Sequence, residues 1–103
     1  MDDLINETVE ISREYFKGFA FEDEQIASLL ESGKRDLQKE LAKLQTLFES
    51  ERIDMDAVNL SIHALKGLFL TMGNTSMGEQ LSELRQENET ERMITETKKL
   101  LGC

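Results

Sequence analysis

The segment His63-Ala64-Leu65-Lys66-Gly67 holds the one histidine of the chain, with a lysine three positions on and a glycine four positions on. On a helix, residues three and four apart are neighbours, so imidazole, ammonium and glycine would share one surface. A neutral imidazole offers a nitrogen lone pair near neutral pH and can act as a nucleophile. A lysine beside it can offset charge on the oxygens of a phosphoryl group. Glycine leaves room for another protein to approach, although in a helix interior it costs about 1 kcal/mol against alanine. The trio would place a nucleophilic ring nitrogen beside a cation that could hold an incoming phosphoryl group, on a surface open to another protein.

The helix that must carry these residues is written in apolar spacing. Met55, Val58, Ile62, Leu65, Phe69 and Met72 recur 3, 4, 3, 4 and 3 apart, which is one buried stripe. His63 lies one residue off that stripe, about 100° further round, at the edge of the buried face or beyond it. Asp54 is the expected N-cap, Asp56 sits favourably near the positive end of the helix dipole, and Gly73-Asn74 ends the helix.

Four more helices are predicted. The first covers about residues 3–17, with Leu4, Ile5, Val9, Ile11 and Phe16 as its apolar positions, and Gly18 ends it. Phe19-Ala20-Phe21 then forms an apolar connector expected to pack onto the remaining helices or to make a dimer contact. The second and longest covers about residues 24–51, with Ile26, Leu30, Gly33, Leu37, Leu41, Leu44 and Phe48 at spacings of 3 or 4. A helix over about residues 75–87 is capped by Thr75 or Ser76, and a last one over about 89–101 turns Met93, Thr97, Leu100 and Leu101 inward. None is apolar all round, so each needs partners to bury its stripe. Short connections make antiparallel neighbours. The expected fold class is therefore all-α: an antiparallel up-down four-helix bundle over residues 23–103, with an additional N-terminal helix and connector, residues 1–22, packed on it.

The motif His63-x-Leu65-Lys66-Gly67, followed by Gly73 ten positions after the histidine, resembles the signature of histidine-containing phosphotransfer domains. The run Thr71-Met72-Gly73-Asn74-Thr75-Ser76-Met77 is most similar to the phosphotransfer domain at the N-terminus of chemotaxis-type histidine kinases, and Met77, Gly78, Leu81 and Leu84 fit the family's large and small positions. The similarity spans about residues 25–101. It implies that Nε2 of His63 takes a phosphoryl group from the phosphoaspartate of a response-regulator receiver domain, or from ATP held by the catalytic domain of a histidine kinase or hybrid kinase. Lys66 would steady the phosphoryl charge. Gly67 would permit close docking, with helix–helix packing as the simpler role. Leu68 and Leu70, together with Gly73, would serve docking of the partner, although Leu68 and Leu70 are equally readable as core-edge residues.

One position departs from the family. Many relatives carry Glu or Gln twenty-two positions after the histidine, where it orients the ring through Nδ1; this chain has Arg85, with Gln86 beside it. Arginine has no acceptor. Arg85 would instead meet the phosphoryl oxygens, or Gln86 or Glu83 would orient the ring. The substitution supports an alternative in which the protein is a phosphorylation-silent helical adaptor that docks on a receiver or kinase. A third reading is a groove that binds a helix of another protein with no receiver involved.

Composition excludes other classes. A net charge of −9 argues against nucleic acid and against an anionic membrane surface as partners. No run approaches the 18 or so apolar residues of a spanning helix, and the first residues lack the basic start and apolar run of a signal peptide. One histidine and one terminal cysteine, Cys103, make neither an ordinary zinc site nor an internal disulfide, and no metal or cofactor is expected. No Gly-rich phosphate loop is present, so the chain would be a phosphorelay carrier without its own nucleotide site. The expected location is the cytoplasm.

Overall fold

The computed structural model describes residues 2–84 and 89–102. Among them are five helices and no strand: α1 (Asp2–Lys17), α2 (Asp23–Glu49), α3 (Met55–Thr71), α4 (Thr75–Leu84) and α5 (Thr90–Leu101). The 27 residues of α2 give a rod of about 40 Å, which sets the long dimension of a molecule measuring 46 × 22 × 21 Å. Helix α2 packs against α1 and α3, α3 packs against α4, and α4 touches α5.

The spacing of α3 does what its pattern demands. Val58, Ile62, Leu65 and Phe69 are wholly buried and Met72 nearly so, while Met55 at the entrance is only partly covered. They meet Leu37, Leu41, Leu44 and Phe48 of α2, Leu81 of α4, Met93 and Leu101 of α5 and Ile5 of α1 in one cluster. At the start of α3, Asp54 Oδ1 accepts from the N–H groups of Asp56 and Ala57 at 3.1 and 3.2 Å. Two donors that the helix cannot satisfy itself are thereby paired.

The end of α3 differs in one respect from expectation. Gly73 takes the left-handed conformation, φ +83°, and Asn74 N–H donates to Phe69 O at 2.8 Å, closing the last turn. The cap of α4 is then Asn74 itself, whose Oδ1 accepts from Met77 N–H at 3.3 Å, and Thr75 is already helical. The short Asn carbonyl reaches the orphan donor from one residue earlier than the predicted hydroxyls.

Helix α1 shows the largest departure from its pattern. Its fully buried line is Ile5, Thr8, Ser12 and Phe16, two of them small and polar, while Leu4 and Val9 pack against the core part-buried and Ile11 is half-buried. Their hydroxyls serve the α3–α4 turn. Ser12 Oγ donates to Met72 O at 2.6 Å, and Asn74 Nδ2 donates to Thr8 Oγ1 at 3.0 Å. Both pairs are buried, where an unmade hydrogen bond is costly. The ring of Tyr15 covers Gly73 so closely that a β-carbon there would overlap it. In α5, Met93, Thr97 and Leu101 are buried and Leu100 is only half-covered; Thr97 Oγ1 satisfies itself on Met93 O at 2.7 Å.

Candidate functional site

The buried stripe of α3 leaves the opposite side of the same helix to solvent. His63 is exposed there, and a shallow depression beside it is lined by Asp56, Asn59 and Leu60 of the two preceding turns. Leu60 is 71% exposed, the most exposed large apolar side chain among the described residues. Ala64 and Gly67 continue this exposed line toward the C-terminus. On α3 itself the face round His63 carries Asp56 at one end and Lys66 at its margin, and Asp36, Lys39 and Glu40 of α2 flank it beside Ala64 and Gly67. A helix face of this kind is suited to a protein partner, since burial of Leu60 and Ala64 costs no ion its hydration.

Gly67 separates the two roles the sequence allowed it. A β-carbon built there meets nothing within 4 Å, so no neighbouring helix requires the glycine. Two other glycines are packing residues by the same test: a β-carbon at Gly33 would lie 2.8 Å from Met72 Cε, and one at Gly78 would lie 2.5 Å from Leu70 Cδ2. Gly67→Ala is accordingly expected to stabilise the fold by about 0.5–1 kcal/mol, because alanine is the better helix former and its methyl group has open space. Chemical denaturation of the two proteins side by side tests this, and a lower midpoint for the alanine variant would show that the fold needs the glycine.

The remaining sequence-predicted residues divide. Lys66 is half-buried one turn after His63, on the side of α3 that also carries Leu70. Leu70 is 38% exposed and leans on Gly78 of α4, so it joins the packing of α3 on α4 while showing part of its surface. Leu68 is half-buried against the main core on the α2 side. Gly73 lies about 15 Å along the helix axis from His63, under Tyr15, where it makes the turn. Glu83 lines a groove between α4 and α5 with Gln80, Leu84, Glu96 and Leu100. Arg85 and Gln86 lie outside the described residues.

Two groups of surface residues escape the sequence reading. Leu60 stands three positions before His63 and off the stripe; a large apolar residue in that position is the signal that would have found it. On the other flank, Asp36, Lys39 and Glu40 of α2 face Ala64, Gly67 and Leu68 across a second depression. Their approach is fixed by Ser61, which is 1% exposed and donates to Glu40 Oε1 at 2.9 Å. Nothing in the local sequence of α2 marks them, because their place depends on the register between two helices.

Among the described residues, no three His, Cys, Asp or Glu side chains come together as a metal site, and no helix is long and apolar enough to cross a membrane. Compared with known proteins, the chain matches no family model, no curated protein and no solved structure.

Proposed function

We propose that this protein is a histidine phosphotransfer carrier that accepts a phosphoryl group on His63 and exchanges it with the aspartate of a response-regulator receiver domain. The observation that carries the reading is the exposed histidine beside an open Gly67, on a helix face of Leu60 and Ala64 that a partner can cover. The similarity of His63-x-Leu65-Lys66-Gly67 to the phosphotransfer signature points the same way. In this reading α2 to α5 form an antiparallel up-down four-helix bundle, α1 is its added helix, and the protein works in the cytoplasm.

The step is an in-line displacement. The Nε2 lone pair attacks phosphorus of the receiver's phosphoaspartate, the N–P bond forms, and the P–O bond breaks with its electron pair leaving on the aspartate carboxylate. The reverse step returns the group. Lys66, one turn on, offsets charge on the phosphoryl oxygens, and the missing side chain at Gly67 lets the receiver bring its aspartate to the ring. A kinase domain holding ATP would load the same nitrogen, with ADP as the leaving group.

Intact-mass measurement after incubation with phosphoramidate, and separately with phosphorylated receiver domains, tests the proposal. A single adduct, labile in acid and stable in base, is expected from both donors. No adduct from either, in a protein with full helical circular dichroism, would overturn it. It would favour the second reading, a silent adaptor, which rests on Arg85 occupying the place where relatives carry an acceptor side chain.

A further inference from the structure

The corner between α1 and α2 carries an aromatic surface that the relay chemistry does not use. Tyr15, Phe19, Phe21 and Leu29 are 41, 55, 40 and 40% exposed, on one end of the molecule. Of the expected packing of the connector onto the helices only part is present: the Phe21 ring lies 6.3 Å from that of buried Phe16, while Phe19 and much of Phe21 stay exposed. The rings also pack on one another: the Tyr15 and Phe19 rings meet edge to face at 5.0 Å, and Phe19 and Phe21 lie 5.9 Å apart. Ala20 between them takes φ +59°, a left-handed conformation that costs an L-residue other than glycine roughly 1–2 kcal/mol. That step closes the turns leaving α1, in which the N–H groups of Gly18, Phe19 and Ala20 donate to the carbonyls of Tyr15, Phe16 and Lys17.

The rim tells what would cover it. Residues 14–24 contain four carboxylates, Glu14, Glu22, Asp23 and Glu24, and one cation, Lys17. Lys17 Nζ is already engaged with Glu14 Oε1 at 3.1 Å. Glu24 lines the groove beside Phe21 and Leu29 directly. Asp23 and Glu24 also suit the dipole of α2, yet their charge still faces anything that approaches the rings. A second copy of the chain would set one acidic rim against another under two-fold symmetry, and an anionic vesicle would be repelled likewise.

We infer that this corner is a docking surface for a basic amphipathic segment of a partner protein, whose apolar side chains cover Phe19, Phe21 and Leu29 while its lysines or arginines meet Glu22 and Glu24. The surface is independent of His63 and of the phosphotransfer reading.

The test is amide chemical-shift mapping of the full chain titrated with a synthetic helical peptide of leucine and lysine, with a serine–lysine peptide of the same charge as its control. Shifts confined to residues 15–29 are expected with the leucine–lysine peptide and none of comparable size with the control. The double variant Phe19→Ser, Leu29→Ser should weaken binding about tenfold or more, and Glu22→Gln with Glu24→Gln should weaken it several-fold. These side chains are exposed, so unchanged circular dichroism verifies the fold of each variant. Shifts spread over the whole acidic surface, equal affinity for the variants, or no binding would each overturn the proposal. So would self-association that moves the same amides as the protein concentration rises, since the occupant would then be a second copy.

Discussion

His63→Gln is expected to abolish phosphoryl uptake from every donor while leaving the melting temperature close to that of the parent protein. Glutamine keeps a polar side chain of similar reach but has no nucleophilic nitrogen, since its amide lone pair is delocalised. The stability half of the expectation follows from exposure: His63 lies on the solvent side of α3, and glutamine is at least as good a helix former. Mass measurement of the adduct and a thermal melt on the same preparation check both halves. An adduct that survives in the variant would place the acceptor elsewhere and remove His63 from the relay. A collapse of the melt would make the histidine a structural residue.

Phe69→Ala is the opposite experiment on the same helix. Phe69 is 0% exposed and stands among the largest side chains that the core encloses completely. Removing a buried phenyl ring loses its transfer free energy and leaves a cavity, together about 3–5 kcal/mol. Domains of this size are stable by about 5–15 kcal/mol, so a large share of the total is lost. A fall in melting temperature of at least about 12 °C is expected, read by circular dichroism. Below the melt, the folded fraction should still accept phosphate at His63, because the ring lies on the other side of α3. A melt unchanged from the parent would mean that Phe69 does not occupy the core as described. Together the two variants divide α3 lengthwise into a face that holds the fold and a face that meets a partner.

That division was legible before any coordinates, because it depends on spacing alone. Six apolar residues at intervals of 3 and 4 define the inward side, and His63, Lys66 and Gly67 fall off it by arithmetic. The cap at Asp54 and the break at Gly73 were legible for a similar reason: each is a local preference of one residue type for one backbone position. What escaped was decided by contacts distant in sequence. Thr8 and Ser12 carry no apolar signal, and their burial is decided by the α3–α4 turn that pairs with their hydroxyls. Phe19 and Phe21 read as a connector that covers the helices or a dimer contact, and how far each ring is exposed depends on the left-handed step at Ala20 between them. The depression shared by Lys39 and Gly67 exists only when α2 and α3 lie in their observed register. Leu60 could have been found, since an off-stripe leucine one turn from a candidate nucleophile is itself a signal.

The two hydroxyl bonds that tie α1 to the α3–α4 turn span 60 and 66 residues of chain. Closing a loop of that length carries an entropic penalty that must be met before the bonds return anything. The connections α1–α2, α2–α3 and α3–α4 are all short, so α1 reaches the turn by way of α2, and the turn at Gly73 is completed only when α1, α2 and the α3–α4 corner are in place together. Until then Met72 O and the Asn74 amide are hydrated. The exit of α3 is thus finished by α1, and a chain in which α1 is undocked leaves that turn incomplete.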